Sequence, residues 1–309
     1  MEFADPIAIA EIVICLTGLI LFACWLLKTS LGGKALADSV PRRNNMPIYL
    51  PFVPLFIWFG AVWLTASIAN ILFGDLQGWQ DDFLDNLTLC IGELTAIAVI
   101  IFLARVHFAR RLKGFGLNIK TIVKDFFAAF VNLLTVWPLI MAAIILTMFF
   151  GELIWGREYQ VPQHQQLKLI TEYSQLPPRI LIIVVAVVIA PLLEEMLFRG
   201  LFQTTIRSYL DARCSRLKTQ NSRHKTQDPR HKTQDLSLES GVWSLDVWLA
   251  ILISSGLFTI IHANTGHWPA LFVLGICLGY AYEKSGSLIR PIFIHSLFNA
   301  ASIIATLNQ

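Results

Sequence analysis

Apolar residues along this chain gather into long runs rather than alternating with polar ones. Eight runs, at about 7–27, 48–73, 84–104, 126–150, 180–202, 246–265, 268–282 and 289–307, predict helices that cross a bilayer. About 20 apolar residues suffice for a helical span. The seventh run is short. No sustained period of two suggests a β-barrel. The predicted fold class is therefore an all-α polytopic membrane protein with about eight transmembrane helices. The first run, in "MEFADPIAIAEIVICLTGLILFACWLLK", follows no basic stretch and ends at no small-residue cleavage site. It is also too long for a signal-peptide core, which predicts a retained first span.

Composition points the same way. Of 309 residues, 55% are hydrophobic and only 15% are charged, where a soluble domain carries roughly a quarter charged residues. The five cysteines form no disulfide framework: Cys15, Cys24, Cys90 and Cys277 sit in apolar runs and Cys214 stands alone in a polar stretch. None has the CxxC spacing of a metal site.

Lys and Arg set the orientation. Of the 24 in the chain, twenty fall in the loops after spans one, three, five and seven, three fall in the span 4–5 loop, and Arg199 lies inside span five. Both termini are thus predicted to face outward. The net charge of +3 reflects those cytoplasmic loops and implies no nucleic-acid partner. Residues 1–178 hold four spans and an outer connecting segment, in which "REYQVPQHQQLKLITEYSQLPPR" predicts a short interfacial helix. Residues 179–309 hold the other four spans and a low-complexity insert at about 213–241. That insert contains a seven-residue repeat, "RLKTQNS", "RHKTQDP", "RHKTQDL", over 216–236. It lacks the apolar a and d positions of a coiled coil and reads as an irregular solvated loop. Its His224 and His231 read as solvated side chains, not metal ligands.

Chemistry enters at "PLLEEMLFRG", residues 191–200, which interrupts the apolar run "ILIIVVAVVIAPLL". A charged side chain inside a bilayer costs at least a few kcal/mol, about 2.5–3.5 on the most forgiving scales. Glu194 and Glu195 are adjacent, so on a helix they point about 100° apart. Arg199 lies four residues after Glu195, on its face, as an ion pair requires. Glu195 is therefore expected to pair with Arg199 while Glu194 looks elsewhere. Span six ends in "LFTIIHANTGHW", with Phe258 and His262 four apart; span eight begins "RPIFIHSLFNA", with His295 and Asn299 four apart. A carboxylate, two imidazoles and an amide are what water-activating hydrolysis uses. The same set would serve a proton or ion relay in a transporter, or a structural polar network.

The three stretches resemble a known family. "EEMLFRG" is similar to the EExxxR motif, "FTIIH" to the FxxxH motif and "HSLFN" to the HxxxN motif of the CPBP (CAAX protease and bacteriocin-processing, Abi) intramembrane proteases, which include the type II CAAX prenyl endopeptidases. The likeness continues through "LGICLGYAYEKSGSLIRPIFIHSLFNA" and covers about 179–307, and "KGFGLNIKTIVKDF" resembles a stretch that precedes an earlier span of that family. The resemblance implies an endopeptidase acting on a membrane-associated substrate, CAAX-type or bacteriocin-like. It implies Glu194 as the base that activates water, with His262 beside it, and His295 with Asn299 as the oxyanion site. Glu195 and Arg199 would brace the motif helix and Phe258 would wall the site. The family has been described both as metal-free and as zinc-dependent. In the second case Glu194, His262 and His295 would be the ligands of a Zn2+. The alternative to a protease is a membrane scaffold or transporter component that retains the fold. The resemblance implies a multi-pass protein of the lipid bilayer, in the plasma membrane of a prokaryote.

Counting depth at 1.5 Å per residue sets Glu194 and His295 toward the cytoplasmic side and His262 toward the outer side. Either Pro191 breaks span five or span six begins well inside the cytoplasm. His267 matches no motif and reads as interfacial. Glu93, in "CIGELTAIAV", reads as a residue paired to a neighbouring helix or as part of the cavity that spans five to eight enclose. Glu11 reads as reaching water.

Overall fold

In the computed structural model, residues 6–39, 41–74, 76–157, 159–161, 165–225 and 235–307 are described. Helices are their regular elements, and an isolated bridge joins Asn44 to Phe108. In chain order they are α1 (Pro6–Lys28), α2 (Phe52–Phe73), α3 (Trp79–His107), α4 (Arg111–Phe115), α5 (Ile122–Trp155), α6 (Gln165–Glu172), α7 (Leu176–Val184), α8 (Ala190–Glu195), α9 (Thr204–Lys225), α10 (Asp235–Ile260), α11 (Trp268–Ser285) and α12 (Ile289–Leu307). The protein is an all-α polytopic membrane protein. Among the described residues six helical segments are long and apolar enough to cross a membrane: Ile9–Lys28, Phe52–Phe73, Trp79–His107, Ile119–Trp155, Leu176–Cys214 and Ile289–Leu307. The sixth and seventh predicted spans fall within α10 and α11 and do not meet that measure. The described apolar part of α10 is the shorter Leu245–Ile260. α11 mixes Gly275, Gly279, Tyr282 and Glu283 into its apolar residues. Both carry many buried residues, among them Ile251, Ser254, Phe258, Leu274 and Leu278. A helix surrounded by protein does not need an all-apolar surface.

The segment from α7 to α9 is one continuous rod, interrupted by two π-helical stretches, Val185–Ile189 and Met196–Gln203. Pro191 explains the first. A proline inside a helix has no N–H to give, and its ring crowds the carbonyl four residues earlier, here that of Val187. Widening the turn just ahead of Pro191 relieves that clash, so span five bends its hydrogen bonding without breaking. The short helix predicted between spans four and five is α6. The first repeat copy, at 216–222, continues α9 as helix rather than forming an irregular loop; its Arg, Leu, Lys and Gln are good helix formers. Residues 226–234, with His231, lie outside the described residues.

Two close approaches organise the packing. Gly18 of α1 lies where a Cβ would stand 2.3 Å from Leu134 O and 2.7 Å from Pro138 Cδ of α5. Pro138 cannot bond Leu134 O, four residues before it, so α1 settles against a widened spot on α5. The second is a ladder between the rod and α11. Glu195, Arg199, Gln203 and Arg207 stand four apart, opposite Gly275, Gly279 and Glu283, also four apart. Arg199 Nη2 donates to Gly275 O at 3.1 Å, and Gln203 Nε2 donates to Gly279 O and Glu283 Oε1, each at 3.1 Å. Arg207 pairs with Glu283. Arg42, from the α1–α2 connection, joins this end: it donates to Tyr282 O at 3.0 Å and lies 3.5 Å over the Tyr282 ring. Small residues at such helix interfaces let backbones meet.

Candidate active site

The site grows from the short helix α8. Its neighbouring carboxylates part company, as adjacent helical positions should. Glu195 is fully buried and stands 3.2 Å from Arg199 Nε. Arg199 is fully buried too, and its guanidinium lies 4.6 Å from the Phe258 ring centroid. A buried ion pair of this kind survives only with further donors and acceptors around it. Those are the carbonyl of Gly275 on one side and, on the other, His295, whose Nδ1–H donates to Glu195 Oε1 at 3.1 Å.

Glu194 has the opposite environment. Its side chain retains 21% exposure against none for Glu195, and its Oε2 makes no hydrogen bond. His295 Nε2 faces that oxygen at 3.8 Å, beyond hydrogen-bond length. One imidazole thus stands between two carboxylates, bonded to the buried one and facing the accessible one.

Phe258 ties the third motif to the other two. Its ring meets the His295 ring edge-on at 5.5 Å between centroids and the His262 ring at 4.9 Å. His262 lies just past the end of α10. Its Nδ1–H donates to Phe258 O at 2.8 Å, while Trp268 Nε1–H donates to His262 O at 2.9 Å. With Nδ1 carrying that hydrogen, Nε2 is the nitrogen left for other partners. The depth mismatch read from the sequence narrows accordingly. α10 begins at Asp235, well before the predicted start of span six, and its last turn brings His262 within one aromatic ring of His295. Asn299 sits one turn along α12 from His295, and one of its amide hydrogens goes to Ala186 O at 2.8 Å.

Glu93 of α3, only 4% exposed, turns to this site as well. Its Oε2 makes no hydrogen bond. Glu11 is exposed on α1. Sequence reasoning did not single out Gln203, Arg207, Glu283 or Ser254. Gln203 and Arg207 had a signal, the four-residue spacing that continues the Glu195–Arg199 face. Ser254, whose hydroxyl donates to Phe198 O at 2.9 Å, had none beyond its place four residues before Phe258.

A zinc ion would need Glu194, His262 and His295 to converge. Among the described residues no three His, Cys, Asp or Glu side chains form such a group. His295 Nδ1–H is held by Glu195 and His262 Nδ1–H by its own helix, so Nε2 is the nitrogen each would offer to a metal ion.

The fold and this cluster define a multi-pass helical membrane protein with a carboxylate–imidazole site set among its helices. Residues 176–301 match the family model described as type II CAAX prenyl endopeptidase Rce1-like. The match spans all three motif stretches. No curated protein and no solved structure matches the chain.

Proposed function

We propose that the α8–α10–α12 cluster hydrolyses a peptide bond of a membrane-associated substrate, CAAX-type or bacteriocin-like, with Glu194 as the base. The observation that carries this is the contrast between the two adjacent carboxylates. One is fully buried and held by Arg199 and His295; the other keeps part of its side chain exposed. A water held by the Glu194 carboxylate and His262 Nε2 loses a proton to Glu194 as its oxygen bonds the substrate carbonyl carbon. Charge then gathers on the carbonyl oxygen. His295 Nε2–H and the second amide hydrogen of Asn299 donate to it. With His295 as imidazolium, Glu194, Glu195, Arg199 and His295 sum to zero charge, an arrangement that low-dielectric surroundings favour. When the tetrahedral species collapses, the C–N bond breaks and Glu194 returns its proton to the leaving amine. Glu195 and Arg199 hold the helix and Phe258 separates the two histidines. No step requires a metal.

The same reading takes residues 1–178 as four spans that frame the catalytic part at 179–309, with eight crossings, both termini outside, in a prokaryotic plasma membrane.

Cleavage of a membrane-tethered peptide library by protein in vesicles tests it, comparing wild type with Glu194→Gln, each with and without a zinc chelator. Glu194→Gln should lose about 10²–10⁴-fold in rate, and the chelator should change nothing. Normal cleavage by Glu194→Gln removes the base assignment. Loss of wild-type cleavage on chelation replaces the metal-free mechanism with a metal-dependent one.

A further inference from the structure

The two π-helical stretches flank α8, the six-residue segment that carries both carboxylates. A π turn moves each N–H to the carbonyl five residues back and leaves an α-type acceptor without its usual partner. In the first stretch this is seen directly. Ala190 N–H bonds Val185 O, so Ala186 O, its α-helical partner, is released. That carbonyl accepts the Asn299 amide of α12 at 2.8 Å. In the second stretch, Phe198 O accepts the Ser254 hydroxyl of α10 at 2.9 Å, and Arg199 O accepts the hydroxyl of Thr204 at 3.2 Å. Each stretch is therefore held by a side chain from another helix. Ser254 is fully buried and lies four residues before Phe258; Asn299 lies four residues after His295. Each donor stands one turn from a residue of the candidate site on the same helix.

We infer that Ser254 is a positioning residue. Its hydroxyl fixes the second π stretch, as Asn299 fixes the first, and together they set the rotation of α8 that turns Glu194 to the site and Glu195 to Arg199. Losing the Ser254 hydroxyl removes the side-chain tie from Phe198 O to α10. Without Ser254 the stretch is free to relax toward ordinary α geometry, which rotates everything N-terminal to it relative to α10 and α12. Because adjacent helical positions differ by about 100°, a fraction of that turn is enough to misalign Glu194. Asn299 then has two duties: one amide hydrogen on the helix and one available to the oxyanion of the proposed mechanism. This inference rests on that mechanism for its kinetic consequence but not for its structural one.

The experiment uses the full chain in vesicles and reads two quantities. One is amide hydrogen exchange, resolved over 185–190, 196–203 and α3; the other is cleavage of the tethered peptide library. Ser254→Ala should speed exchange over 196–203 while leaving α3 as in wild type, and should lower kcat about tenfold with KM unchanged. Ser254→Thr, which keeps the hydroxyl, should restore both. Asn299→Ala should speed exchange over 185–190 only. Unchanged exchange over 196–203 in Ser254→Ala overturns the inference. So does faster exchange across the whole chain, which would mean general destabilisation. Glu194→Gln is run beside them. Its expected signature is lost cleavage with normal exchange, so an active Glu194→Gln removes the base assignment and leaves the exchange result to decide the role of Ser254.

Discussion

α1 and the α7–α9 rod are both apolar enough to cross a membrane, yet the protein uses them in opposite ways. In the most apolar window of α1, 6% of residues are buried inside the protein; in that of the rod, 39% are. α1 packs along one partner, α5, most closely at Gly18, and reaches α11 through Trp25 and Tyr280. The rod makes directed contacts along its length, to α12 at Ala186 and Glu195, to α10 at Phe198, and to α11 at Arg199, Gln203 and Arg207. Hydrophobicity places a helix in a bilayer, but in lipid it adds little to the attraction between helices. Polar pairs and close backbone approach set the neighbours and the rotation. α1 is placed; the rod is both placed and aimed.

That contrast can be broken most severely at the buried ion pair. Glu195→Gln or Arg199→Met alone leaves a charge buried without its partner, and each should cost about 3–5 kcal/mol of stability. The double substitution should cost less than either single one. Denaturant titration of the purified protein in detergent reads this directly. Additive losses would mean that the two side chains do not act as a pair.

A smaller effect is expected on the ladder. A Cβ at Gly279 would stand 2.7 Å from Gln203 Oε1 and 2.9 Å from Ile251 Cγ2, whereas one at Gly60 of α2 would meet nothing within 4 Å. Gly279→Ala should therefore destabilise by about 1–3 kcal/mol, and Gly60→Ala should fall within about 0.5 kcal/mol of wild type. Thermal unfolding of the two variants side by side tests whether the rod-facing helix is the tighter one.

The smallest effect belongs to α1. Trp25 Nε1–H donates to the Tyr280 hydroxyl at 2.9 Å. Trp25→Phe keeps an aromatic ring and loses that bond, for about 0.5–1.5 kcal/mol, with cleavage unchanged. A cleavage defect as large as that of Ser254→Ala would show that α1 helps to aim the site after all.

Much of this organisation was legible in the chain. The apolar runs predicted the helices, and residue spacing predicted the Glu195–Arg199 pair, because a four-residue interval is a property of the helix itself. Spacing also placed Phe258 with His262 and His295 with Asn299. It could not bring His262 to His295, since that depends on where α10 begins and how it ends. The π stretches were hidden for a related reason. Pro191 signals that a helix must adjust, but whether it kinks, breaks or widens depends on donors such as Asn299, which lies 113 residues from the Ala186 carbonyl it bonds. Ser254 escaped notice because a serine in an apolar helix usually bonds its own backbone, as Ser255 does to Ile251 O.

Arg42 gives the chain a problem of timing. Its guanidinium rests on the Tyr282 ring and donates to Tyr282 O, across 240 residues of sequence. At about 5–20 residues per second, the ribosome finishes the partner on the order of tens of seconds after it has released the arginine. During that interval the first helices are already made, and Arg42 has neither the aromatic ring nor the carbonyl it will finally hold. Water, lipid phosphate or an insertion factor must accommodate it until then. The contact that ties the α1–α2 connection to α11 is thus completed only after α11 has been made.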